Sequence, residues 1–151
     1  MRRLLLAAAF LITDAGAGGW DLLSEDLLSV HHKAVAHWGT GMYETAAREF
    51  DQVLAASPPP PEAIVNIGMM RLSQRKYELA LPHLERAAAL TPESARVRYL
   101  LGKCLLGLER PDDAAAQLTL AARLDPREPA IPLRLAEAHL QAGRDGPARA
   151  A

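Results

Sequence analysis

Apolar residues recur along this chain at helical intervals, and turn residues interrupt them at regular stations. Ile64, Ile67 and Met70 share one helical face with the small Gly68. Tyr77, Leu81, Leu84, Ala87 and Ala88 form a second such face, and Leu101, Leu105, Leu118, Leu120 and Leu124 repeat the arrangement further on. Breaks are predicted at Gly39 to Gly41, Ser73 to Lys76, Gly107 to Pro111 and Gly143 to Pro147, so the helices come in pairs. No segment alternates as a half-buried strand would. Proline placement agrees, because Pro111, Pro132 and Pro147 fall in first helical turns, where a missing amide donor costs little. Pro82 is read as tolerated at the end of its first turn, and the run Pro58 to Pro61 ends one pair and starts the next.

The pattern has a period. Pro58, Pro92 and Pro126 are 34 residues apart, as are Ala46, Ala80, Ala114 and Ala148. Proline supplies only 11 of 151 residues, so two coincident spacings sharing one period are not a product of composition. Units beginning at Leu27, Pro61, Ala95 and Pro129 bring further positions into register. The eighth is always small: Ala34, Gly68, Gly102, Ala136. The seventh is Lys33, Ile67, Leu101 and Leu135, the twenty-fourth Phe50, Leu84 and Leu118, and the twenty-seventh Val53, Ala87 and Ala121. These are core positions, with Lys33 the exception.

In this register the chain resembles the tetratricopeptide repeat, whose signature is W-x2-L-G-x2-Y, then A-x3-F, then P. The best unit runs from Pro61 to Ser94, where IVNIGMMR places Ile64 for the Trp, Ile67 for the Leu, Gly68 for the Gly and Arg71 for the Tyr. ALPHL follows at Ala80 to Leu84, then Pro92. The aromatics of the signature are replaced. The resemblance implies an all-α, right-handed superhelical solenoid of antiparallel helix pairs, with full repeats at 27–60, 61–94 and 95–128 and a partial one at 129–151.

The amino terminus is different in kind. Met1-Arg2-Arg3 is basic, Leu4 to Ile12 is apolar, and Ala15-Gly16-Ala17 offers small residues at A-x-A spacing, so residues 1–17 read as a secretory signal peptide and 18–26 as a linker or cap. The expected location is therefore periplasmic or secreted; if residues 1–17 are instead an ordinary helix, it is cytoplasmic. A net charge of −1 without a basic stripe excludes electrostatic attraction to nucleic acid. Nothing after residue 26 approaches a membrane-spanning run.

Candidate chemistry is sparse, and neither a cofactor nor a metal is expected. Cys104 is a lone thiol between Lys103 and Leu105, read as a small buried hydrophobe. His31 and His32 are adjacent, so on a helix they point about 100° apart and do not form a ligand pair. His37 and His139 share the eleventh repeat position and read as packing residues; His83 reads as surface. Asp112 and Asp113 follow Pro111 at a helix start, where negative charge complements the macrodipole. Glu25 and Asp26 do the same after Ser24, a candidate N-cap. No hydrolase, metalloprotease or phosphate-loop motif is present.

The family resemblance places the second, fifth, ninth and twelfth positions of each first helix on a concave face. That surface would comprise Leu28, His31, Val35 and Trp38, then Glu62, Val65, Met69 and Leu72, then Arg96, Tyr99, Lys103 and Leu106, then Ala130, Leu133, Glu137 and Leu140. It would suit an extended or helical peptide. Some family members hold chaperone C-termini in a two-carboxylate clamp of Lys, Asn and Arg. Asn66 and Arg96 stand at clamp-like positions, but His31, Val35 and Leu100 replace the others, so chaperone binding is not expected. The fourth unit has only residues 146–151 of its second helix, so Leu133, Leu135 and Leu140 are expected to need other cover: a longer polypeptide, self-association at this end, or the last helix serving as an imperfect cap. Two functions follow: a non-enzymatic adaptor for a protein or peptide, or the repeat region of a larger enzyme or envelope protein.

Overall fold

The computed structural model describes residues 25–55 and 59–149, the last six by backbone alone. The signal and linker assignments, with the Ser24 cap, lie almost wholly outside them. Seven helices and no strands occur among the described residues: α1 (Glu25–Gly39), α2 (Tyr43–Leu54), α3 (Pro61–Ser73), α4 (Tyr77–Leu90), α5 (Ala95–Gly107), α6 (Pro111–Leu124) and α7 (Ala130–Arg149). The protein is an all-α helical repeat solenoid. It divides into two compact units, one ending at Met70 and the other starting at Arg71.

The 34-residue register has a direct physical meaning in the second helices. Ala46, Ala80 and Ala114, then Phe50, Leu84 and Leu118, then Val53, Ala87 and Ala121 are all completely buried. Within a helix these residues are four and three apart, so they form one buried stripe, which Ala47 on α2, Ala88 on α4 and Pro111 on α6 widen. In the first unit α1 packs against α2, and Ala34, Val35, Ala46, Ala47, Phe50, Ile67 and Met70 make one core. In the second unit α5 packs against α4 and α6, and α6 against α7. Gly102 shows why the eighth position must be small: a Cβ there would lie 2.6 Å from Leu118 Cγ and 2.9 Å from its Cδ2. Leu120 and Leu124, expected to pack with Leu118, are exposed. Leu120 lies about 200° around the helix from Leu118, which turns it to solvent.

The turns inside each pair are chemically alike although their sequences differ. Gly41, Arg75 and Glu109, 34 residues apart, all take positive φ, at 81°, 59° and 56°. The next amide in each case returns to the helix just ended: Met42 to the His37 carbonyl at 2.8 Å, Lys76 to Arg71 at 3.0 Å and Arg110 to Leu105 at 3.0 Å. The left-handed residue donates in parallel to Trp38, Leu72 and Leu106. This double bond pattern is the Schellman motif, and it satisfies carbonyls that a helix end leaves open. The first turn has the glycine that the conformation favours; the other two hold strained side chains.

Two helix ends differ from the sequence expectation. Pro82 is the sixth residue of α4, one step into the second turn, so it removes a ladder bond; the residue is exposed, and water can reach the freed carbonyl. More substantially, the break expected at Gly143 to Pro147 is absent: α7 runs through it for 20 residues. The straight course is locally unfavourable, since relative to alanine an interior proline costs about 3 kcal/mol and each glycine about 1 kcal/mol. One consequence is that Ala136 and His139, expected in packed positions, are exposed.

Candidate partner-binding face

In the first unit the expected face is largely closed. His31 is fully buried, and its Nε2 accepts a hydrogen bond from Asn66 Nδ2 at 3.1 Å, tying α1 to α3. Its ring meets Phe50 edge-on at 5.7 Å. Burial, with a smaller contribution from neighbouring His32, lowers the imidazole pKa from 6.5 to about 4, consistent with an unprotonated accepting nitrogen. Asn66, Val35 and Val65 are also buried, so these four residues offer a partner no surface in this fold. Trp38 is half-buried and packs on the core, and Met69 is half-buried on α3. His37, read from the sequence as packing, instead bonds Glu49 Oε2 through Nδ1 at 2.7 Å, pinning α1 to α2.

The second unit is more open. Arg96, Tyr99 and Lys103 lie half-exposed along α5, while Leu106 is buried. On α7, Leu133 and Leu140 are 70% and 64% exposed and seven residues apart, so they share a face. Between them Glu137 Oε2 accepts from Arg134 Nη1 at 2.6 Å. Hydrogen bonds to Glu137 and then Tyr99 raise the Arg134 pKa further and hold the guanidinium charged. Tyr99, Arg134 and Glu137 thus form a polar cluster joining α5 to α7, beside two exposed leucines. Ala130, at the start of that face, is half-buried.

Sequence reasoning missed Arg134, which lies off the expected face positions; its spacing of three residues from Glu137 was the available signal. It also missed a cleft of about 360 Å³ between α4, α5 and α6. Leu101, Leu105, Ala88 and Ala89 line its apolar side, and Arg98 crosses it to Gln117 at 3.0 Å. Arg98 occupies the repeat position where Ile64 is fully buried, and an arginine at that signature position was the clue. Cys104 is buried, and its thiol donates to the Tyr77 carbonyl at 3.3 Å. Burial, with Glu78 and Glu85 nearby, pushes its pKa up to about 11, which keeps it an unreactive thiol.

Paired helices with a fixed register, Schellman turns and polar and apolar positions along the first helices define a helical-repeat protein-interaction scaffold. The sequence model of the tetratricopeptide repeat matches at residues 65–129 and 105–151, and the chain belongs to that family. Such folds are in general non-catalytic. Among solved structures, MamA AMB-1 is 26% identical with a TM-score of 0.73, the match covering 97% of this chain and 78% of that one. A MamA fragment, residues 41 to the end, from Desulfovibrio magneticus RS-1 is 30% identical with a TM-score of 0.74, covering 78% and 67%. The first repeat domain of Spaghetti (RPAP3), bound to the HSP90 peptide SRMEEVD, has a TM-score of 0.75 at 18% identity, covering 83% and 99%, and is alike in fold alone. A search of curated protein sequences returns no match.

Proposed function

We propose that this chain is an adaptor that holds a peptide or protein segment against its first helices and performs no chemistry itself. The observation that carries the reading is the face of α5 and α7 in the second unit. Two leucines there are exposed on either side of the Arg134–Glu137 pair, which Tyr99 of α5 joins through Arg134, and Arg96 and Lys103 are half-exposed on α5. An apolar patch with a charged margin fits a partner segment that alternates apolar and charged residues. Trp38 and Met69 are the half-exposed candidates in the first unit. No described helix is long and apolar enough to cross a membrane.

The test is selection of displayed peptides on the immobilised chain, followed by binding measurements on single selected peptides. Leu133→Asp with Leu140→Asp, and separately Lys103→Glu, are expected to weaken binding at least about tenfold while circular dichroism stays unchanged. Unaltered affinity in both variants would remove this face from consideration.

A further inference from the structure

We propose that the cleft between α4, α5 and α6 is a second docking site, for an extended protein segment that carries an apolar residue between an acidic and a basic one. It lies wholly within the second unit. Arg98, Leu101 and Leu105 line it, each two residues beyond Arg96, Tyr99 and Lys103, so they project about 200° around α5 from the face shared with α7. The two surfaces are therefore separate, and the second does not depend on the first.

The charges in the cleft carry the argument. Arg98 stands where the preceding repeat has the fully buried Ile64, so a half-buried guanidinium replaces a packed side chain. Its Nε donates to the Pro92 carbonyl at 3.3 Å and its Nη1 to Gln117 Oε1 at 3.0 Å. Both acceptors are neutral. They hold the group in place while its charge goes unmatched by any carboxylate among the described residues, although two carboxylates line the same cleft. Asp113 is already taken by Arg110, with Nη2 to Oδ2 at 2.7 Å. Glu85 makes no ion pair among the described residues. One cation and one anion thus remain available side by side, and Arg98 keeps Nη2 for the planar, charge-assisted contact that guanidinium makes with a carboxylate.

Between these charges the floor is apolar, formed by Leu101, Leu105, Ala88 and Ala89. A volume of about 360 Å³ admits a few side chains but not a whole helix, which is about 10–12 Å across. From Arg98 to Leu105 the line along α5 measures about 10 Å, which is the reach of about three extended residues. The complement is accordingly a three-residue core: a carboxylate for Arg98, an apolar side chain for the floor and a cation for Glu85. A strongly acidic segment is disfavoured, because Glu85 and Asp113 would repel it.

Fluorescence anisotropy of short, capped, dye-labelled peptides on the full chain supplies the test. The probes carry the core Asp-Leu-Lys, the reversed core Lys-Leu-Asp or the uncharged core Asn-Leu-Gln. One charged core should bind at least about tenfold more tightly than the uncharged one. Arg98→Gln should weaken that binding about tenfold, and Arg98→Ile, which returns the side chain of the preceding repeat to this position, should abolish it with helical content unchanged. Glu85 is exposed, so Glu85→Lys leaves the core intact; it should transfer the preference to a probe with Glu in place of Lys, an exchange that a loss of folding would not produce. Leu133→Asp with Leu140→Asp should leave the binding as it was, so this site can fail or stand independently of the α7 face. No binding, equal binding of charged and uncharged cores, indifference to both Arg98 substitutions, an unchanged preference in Glu85→Lys, or loss of binding in the Leu133 and Leu140 variant each overturns the proposal.

Discussion

Acidifying the protein should loosen its first unit through His31, and the depth at which that ring is buried sets the size of the effect. The imidazole is fully buried, accepts from Asn66, and has its pKa lowered from 6.5 to about 4. Because the folded value lies below the unfolded one, the unfolded chain binds the proton first as pH falls. Stability is therefore retained above 6.5 and lost progressively between 6.5 and about 4. A shift of this size is worth about 1 kcal/mol near pH 5.5 and about 3 kcal/mol near pH 4. Urea unfolding followed by circular dichroism across that range supplies the measurement, with His31→Gln as the reference. Carboxylates elsewhere titrate in both proteins, so the difference between the two curves isolates the imidazole. His31→Gln should be less stable near neutrality and should lose less on acidification, so the curves converge. Parallel curves would show that His31 is not buried in its neutral form, and would refute the proposed link between α1 and α3.

Three further outcomes are expected. Gly102→Ala brings a methyl group to within 2.6 Å of Leu118 Cγ, and the overpacking should lower stability by about 1–3 kcal/mol, less the gain of about 1 kcal/mol in helix propensity. Adding Leu118→Ala should leave the first change nearly free of cost, read as a coupling in a double-mutant cycle of denaturant midpoints. Glu109→Gly relieves a left-handed side chain at φ 56° and should raise stability by roughly 0.5–1 kcal/mol in the same assay. If residues 1–17 direct export, mass spectrometry of the secreted protein will show Gly18 at its start, and an intact Met1 would count against it.

Much of the architecture could be read from the sequence because repetition averages over local noise. One alanine or leucine says little, but Ala80, Leu84 and Ala87 recurring one period later as Ala114, Leu118 and Ala121 can only be a shared packing stripe. The turns were legible for the same reason, although their left-handed residues were not, since Arg75 and Glu109 carry no local sign of positive φ. The face positions transferred less well. Register predicts where a Cβ points and not how deeply it is covered, so His31 and Leu133, both at the fifth position, end at opposite extremes of exposure. At Gly143 the turn residues are present, but α7 runs through them as helix to Arg149.

The close fit of Gly102 to Leu118 has a bearing on how such a chain can be lengthened or shortened by duplication. A 34-residue unit copied with both its helices carries the small residue and the large one together, so the copy arrives already matched. A crossover falling inside a pair would marry the eighth position of one unit to the second helix of another. Ala34 facing a leucine or Gly102 facing a phenylalanine would then leave a gap or a collision. Inheritance in whole helix pairs is accordingly the expected unit of growth, and the loops after Leu54, Leu90 and Leu124 are the tolerant joints.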